Sequence, residues 1–250
     1  ELDGDHWVIN GRKWFTTGAN VAAYTTVMAR TEPNAPPHAA FSMIVVPTDT
    51  PGYTIVREVP VMGLHGGHCE VVYDQVRVPR RNLLGERGAG FLIAQQRLGP
   101  GRIFHCMRWL GQAQRAFDLM CERANHRVAF GSPLADKQQV QQMIFETAAE
   151  IQACRLLTLD AAHKIDRGDP ARVEIGLIKV VGAQMLHHAI DRAIQVFGAK
   201  GVSADTPLER MYRHARFARI YDGPDEVHRV SVARLILRAY RQGAGWEFGG

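Results

Sequence analysis

Arg219-Ile-Tyr-Asp-Gly-Pro-Asp-Glu-Val-His-Arg229 reads as a break between two helices. A helical run is expected to end at Tyr221, with Asp222 and Gly223 as a hinge. Pro224 then opens the next helix, where its missing N–H costs nothing. Asp225 and Glu226 place negative charge in that helix's first turn, where the helix dipole favours it. Asp222 therefore has two readings: an ordinary N-cap, or a carboxylate facing a cleft.

Working back from the hinge, the apolar residues follow a helical period. Ile175, Ile178, Gly182, Met185, Ala189, Ala193 and Val196 make one stripe. Val140, Ile144, Thr147, Ile151, Cys154, Thr158, Ala161 and Ile165 make another, and Ile103, Met107, Leu110, Gln114, Phe117 and Cys121 a third. Gly168 fits a left-handed cap, Asp169-Pro170 an N-cap and first helical residue, and Thr206, Pro207 and Glu209 a capping box. Long helices with short connections predict an antiparallel four-helix bundle.

Ahead of Gly85–Gly90 the period changes. Tyr24–Ala29, Phe41–Val46, Tyr53–Val59 and Cys69–Val78 are rich in Val, Ile, Tyr and Phe and are separated by turn residues, which predicts strands. Asn10-Gly11, between the apolar segments of Trp7–Phe15, predicts a tight hairpin. The expected fold class is α+β, with a β-barrel or sandwich over residues 1–85 and the bundle over 86–250.

Composition sets outer bounds. A net charge of +5 with scattered arginines gives no reason to invoke nucleic acid and suits a small anionic ligand. Cys69, Cys106, Cys121 and Cys154 lack C-x-x-C spacing and read as free thiols in a reducing compartment, three of them in helices. No apolar run approaches the ~20 residues of a membrane span. The chain starts at Glu1 directly in a strand, so a missing N-terminal part is expected.

Four segments carry chemistry. In Lys13-Trp-Phe-Thr-Thr-Gly18, Trp14 and Thr16 share a strand face suited to stacking on a planar ring and bonding its edge, although Trp14 alone also reads as a core residue. In Arg127-Val-Ala-Phe-Gly-Ser-Pro-Leu134, the Arg can fork onto phosphate oxygens or simply meet a helix C-terminus. Gln195-Val-Phe-Gly-Ala-Lys-Gly201 allows close ligand approach, or is a helix stop. The fourth is the Asp222 hinge. His65-Gly-Gly-His68 lacks a third nearby ligand and reads as a turn shaping a cleft, so no metal is expected.

In this combination and order, the four segments resemble the acyl-CoA dehydrogenase family of flavoproteins, over nearly the whole chain. That resemblance implies a middle β-domain, entered part-way, followed by the C-terminal bundle. It implies FAD as cofactor, with Trp14 and Thr16 against the flavin ring. Arg127, Phe130, Gln195, Gly198 and Glu226 then contact FAD, several of them across a homodimer or homotetramer. Asp222 becomes the base that removes the α-proton of an acyl-CoA while hydride passes to flavin N5. Arg102, Tyr221 and Gly223 line the acyl site, and the Asp222 N–H helps polarise the thioester carbonyl. An electron-transferring flavoprotein is the implied electron acceptor. The compartment is cytoplasmic if the protein is bacterial, mitochondrial or peroxisomal if eukaryotic.

Three departures stand out: Asp222 where most of the family has Glu, Pro224 for the usual Thr, and Ala199 for a frequent Gly. Leu98–Ile103, His65–His68 and Tyr221–His228 look most like the Asp-base branch that includes kinase-fused vertebrate enzymes acting on long-chain and 4-hydroxyacyl substrates. The alternatives are a nitroalkane or acyl-CoA oxidase of the same fold, and a helical oligomerisation module without flavin.

Overall fold

A computed structural model describes residues 1–248. The last two positions of the expected 86–250 unit lie outside the described residues. The chain divides into two compact units, Glu1–Arg97 and Leu98–Gly250.

The first unit is a sandwich. One sheet has the order β1-β2-β6-β5, formed by Leu2–Asp3, His6–Thr17, His68–Pro79 and Tyr53–Glu58. The other is β3-β4-β7, formed by Tyr24–Arg30, Phe41–Pro47 and Leu83–Leu84. Burial alternates residue by residue along β4, the period-2 signature of a one-sided strand. Trp7, Ile9, Val71 and Tyr73 of the first sheet and Val27, Ile44 and Val46 of the second share one core.

Asn10-Gly11 does not turn the chain. β2 runs through it as one strand, and its register against β6 slips between Ile9 and Gly11. Asn10 turns its side chain across the sheet instead of onto its own backbone. Its Oδ1 accepts from the Gln75 backbone N–H at 2.8 Å and from the Gln75 side chain at 3.1 Å. The result is a bulge with a bend in place of a hairpin. The tight turn lies earlier, at Gly4-Asp5, where Asp3 pairs with His6.

The helices are α1 (Gly90–His126), α2 (Gln138–Asp166), α3 (Arg172–Phe197), α4 (Leu208–Ala218) and α5 (Asp225–Arg241). Lys164–Glu174 at one end and Arg192–Glu150 at the other tie α2 antiparallel to α3. The α3 stripe is buried at every expected position, and the α2 stripe from Thr147 to Ala161. The α1 stripe is rotated. Of its expected members only Leu110 is fully buried, and the inward row is Cys106, Trp109, Leu110, Ala113, Ala116, Met120 and Ala124. Three alanines on that row let the backbones approach closely, whereas apolar periodicity weights the larger Met107 and Phe117.

Gly168 caps α2 as expected, at φ 85, with the Asp169 N–H donating back to the Lys164 carbonyl at 2.9 Å. That wrap occupies Asp169, so α3 starts later than expected, at Arg172, and the Asp169 carboxylate bonds the Ala171 N–H at 2.7 Å. The capping box at Thr206 does not form. Thr206 is buried against the preceding turn, no side chain caps Pro207, and Glu209 pairs with Arg213 at 2.9 Å. Pro224 is the N-cap of α5 rather than its first residue, and α4 ends at Ala218 rather than Tyr221. Among the described residues, no helix is long and apolar enough to cross a membrane.

Candidate functional site

The six residues between α4 and α5 converge on Asp222. Its backbone is left-handed, at φ 53, a conformation uncommon for a residue with a Cβ. The N-cap reading of Asp222 fails, because its carboxylate turns to α1 and not to α5. Oδ2 lies 2.6 Å from Nε2 of His105. The Asp222 carbonyl accepts from Arg102 Nε at 3.1 Å and lies 3.2 Å from His228 Nε2. The carboxylate is thus held from α1 by His105 and the backbone carbonyl is met from α1 and α5, with the Asp222 side chain 21% exposed.

The protonation pattern follows from the donors. Nη2 of Arg108 lies 2.6 Å from His105 Nδ1, and a guanidinium can only donate. Nδ1 is therefore the acceptor, and the proton on Nε2 points at Asp222 Oδ2. The His105 ring stacks on Trp109 at 5.9 Å with 16° between planes and meets Tyr221 edge-on at 5.0 Å. The Tyr221 hydroxyl accepts from Trp109 Nε1 at 3.0 Å and from Arg108 at 3.4 Å. Burial pushes the Tyr221 pKa up, and these two donors pull against it.

Beneath the hinge lies Lys179, a fully buried ammonium on α3. It donates to the carbonyls of Ala218 at 2.8 Å and Gly223 at 3.2 Å, and sits 5.5 and 5.6 Å from the Trp109 and Tyr221 rings. Burial lowers its pKa, with Asp225 the first of the groups that oppose the shift. Gly223 is required: its φ is 102, and a Cβ there would lie 2.7 Å from His228 Nε2. Burial of Arg102 draws its pKa down while Asp222 raises it.

The expected acyl-site residues Arg102, Tyr221 and Gly223 thus gather around Asp222. His105, Arg108, Trp109, Lys179 and His228 join them without having been singled out. The available signals were the Arg102-x-x-His105-x-x-Arg108 spacing along one side of a helix, and a lysine inside the apolar α3.

Other expected residues form separate groups. Val128–Ala129 and Ser132–Pro133 make a small hairpin (β8, β9) with Phe130 and Gly131 at its tip, at φ 53 and 81. The Phe130 ring is 99% exposed, and Arg127 precedes the hairpin with an exposed side chain. Gln195 is exposed on the last turn of α3, and Gly198 follows at φ 65, ψ −141, a region open to glycine alone. Arg123 over the Phe197 ring, at 5.5 Å, sets the ends of α1 and α3 side by side, so these four residues share one end of the bundle. Gln195 lies sixteen positions beyond Lys179, or roughly 24 Å along the helix. Within one chain this group and the Asp222 group are distinct. Glu226 borders a surface recess with Arg172, Val230 and Arg234.

In the β-unit, Trp14 is 63% exposed, which overturns its reading as a core residue. The β2–β6 register skips from Lys13 to Thr16, so Trp14 and Phe15 stand unpaired on a bulge with rings 5.4 Å apart. His68 opens β6, with Nδ1 3.0 Å from the Thr17 hydroxyl.

Comparison with known proteins identifies the family of the chain. Residues 1–76 match the family model for the acyl-CoA dehydrogenase middle domain, and residues 88–237 match the one for the C-terminal domain. The chain belongs to the acyl-CoA dehydrogenase family. It is 55% identical over 241 residues to probable acyl-CoA dehydrogenase FadE2 of Mycobacterium tuberculosis, covering 94% of this chain and 59% of that protein. It is 46% identical to human acyl-CoA dehydrogenase family member 11, covering 95% of this chain and 32% of that one. The three-dimensional structure of butyryl-CoA dehydrogenase from Megasphaera elsdenii superposes with a TM-score of 0.88 at 31% identity, over 94% of this chain and 62% of that one. The chain therefore spans less than two thirds of the length of each of these proteins.

Proposed function

We propose that this chain supplies the base and much of the cofactor site of an FAD-dependent enzyme that introduces an α,β double bond into an acyl-CoA thioester. The observation that carries this reading is the Asp222 carboxylate, held by a histidine N–H at the break between α4 and α5. Asp222 Oδ2 is engaged by His105, which leaves Oδ1 to take the α-proton. Among the described residues the Asp222 N–H donates to no backbone carbonyl, so it is open to the thioester oxygen, where developing negative charge is stabilised. Asp222 is one methylene shorter than Glu, and the left-handed hinge with its Arg102 contact fixes where that shorter arm reaches.

The residues present fit FAD. Trp14 offers an exposed indole on a strand bulge, with the Thr16 hydroxyl two positions on. Arg127, Gln195 and the open backbone at Gly198 form a donor set suited to phosphate, beside an aromatic ring held wholly in solvent at Phe130. FAD, when bound, supplies the two-electron acceptor for the hydrogen lost from Cβ. The distance between the Arg127–Gln195 group and Asp222 supports a site shared between copies of the chain, in a homodimer or homotetramer. Arg102, Tyr221 and Gly223 shape the acyl end of the cleft, and an electron-transferring flavoprotein reoxidises the enzyme.

The test is anaerobic. Acyl-CoAs of graded length added to the flavin-loaded protein should bleach its absorbance. Bleaching by nitroalkanes alone would favour the oxidase reading, and a protein that never holds flavin would favour an assembly module.

A further inference from the structure

We infer that His105 is the positioning residue of the Asp222 base, with Arg108 setting the histidine's tautomer; the inference rests on the function proposed above. Three contacts fix the imidazole. Arg108 donates to Nδ1 at 2.6 Å, Trp109 stacks on the ring face, and Tyr221 meets its edge. Each fixes a different freedom: the tautomer, the plane, and rotation within the plane. With Nδ1 occupied, the Nε2–H has one direction left, and Asp222 Oδ2 lies 2.6 Å along it.

Two consequences follow for the carboxylate. It is anchored through one oxygen, so the other is presented in a single orientation, the positioning that a proton transfer from carbon requires. The same contact occupies Oδ2, so Oδ1 is the oxygen left to meet the substrate. A shorter carboxylate on a left-handed hinge gains most from such an anchor, because its own backbone attachment leaves little reach for correction. Arg108, Trp109 and Tyr221 hold the histidine and do not touch Asp222's carboxylate, so the arrangement is a relay of supports onto one atom.

The test uses the flavin-loaded protein and three variants. His105→Phe keeps a flat ring against Trp109 and removes the donor. His105→Gln places an amide N–H near the position of Nε2. Asp222→Asn removes the base itself. The rate constant for anaerobic flavin reduction by an acyl-CoA should fall about 10- to 100-fold in His105→Phe. Acyl-CoA binding should stay within about twofold, the α-deuterium isotope effect should rise, and His105→Gln should recover most of the rate. A second readout needs no turnover: spectra of the 15N-histidine-labelled protein should show His105 protonated at Nε2 and bare at Nδ1. Reduction by His105→Phe at the wild-type rate, no recovery in His105→Gln, a loss confined to binding, or the opposite tautomer would each overturn the inference. Undiminished reduction by Asp222→Asn would instead overturn the underlying assignment of the base.

Discussion

Lys179→Met probes what holds the hinge in place. Methionine keeps an unbranched apolar stem in the same space and removes only the charge and its donors. Two bonds disappear: 2.8 Å to the Ala218 carbonyl, which is the last residue of α4, and 3.2 Å to the Gly223 carbonyl. Hydrogen bonds from a charged donor contribute about 1.5–3 kcal/mol each, so the gross loss is roughly 3–6 kcal/mol. Against this, the buried ammonium no longer has to be kept from water, a relief of several kcal/mol at most. The gross loss already includes the cost of leaving the two carbonyls without a donor. The ammonium's interaction with the Trp109 and Tyr221 rings, about 1–2 kcal/mol when desolvated, is also lost. The net expectation is a destabilisation of roughly 2–4 kcal/mol, which for a chain of this size lowers the melting temperature by roughly 5–15 °C. Thermal unfolding followed by far-ultraviolet circular dichroism measures it. An unchanged or higher melting temperature would refute the reasoning, because it would mean that the two carbonyls find water or that burying the charge outweighs its bonds.

Other consequences concern the same scaffold. Gly223→Ala forces a Cβ onto His228 at φ 102, and should cost about 1–3 kcal/mol and slow flavin reduction; equal chemical stability to wild type would contradict it. His187, His214 and His228 are held below the ordinary 6.5, chiefly by burial. Between 6.5 and their lowered folded values the unfolded chain binds more protons than the folded one. Stability should therefore fall as pH drops below about 6.5 and stay level on this account above it. Urea midpoints on either side of that value check this, and His228→Gln should flatten part of the slope. Arg127→Ala and Phe130→Ala should each lower the FAD retained through gel filtration without altering the circular dichroism spectrum, and unchanged flavin content would remove them from the site.

Strand β4 and the α2 and α3 stripes were legible because burial there follows one face of a regular element. Asn10-Gly11 was not, because the side chain that usually closes a turn found a partner across the sheet at Gln75. The α1 face was misjudged because its inward row is built on alanines, which apolar periodicity hardly registers. At the site, Tyr221, Asp222 and Gly223 are neighbours in sequence, and their break between helices is written in glycine and proline. Their supports are not neighbours. His105 lies 117 positions away and Lys179 lies 44 from Gly223, so only folding brings them together. The exposure of Trp14 was equally hidden, since an aromatic residue on a strand gives the same local pattern whether it faces a core or a ligand.

The most direct test of the account is the reductive half-reaction of Asp222→Asn. The flavin-loaded variant would be mixed anaerobically with an acyl-CoA that bleaches the wild-type protein, and the flavin absorbance followed in time. The account predicts that the variant retains FAD, binds the acyl-CoA, and reduces its flavin at least about a hundredfold more slowly, the scale set by losing a general base. Bleaching at the wild-type rate would contradict it and place the base elsewhere.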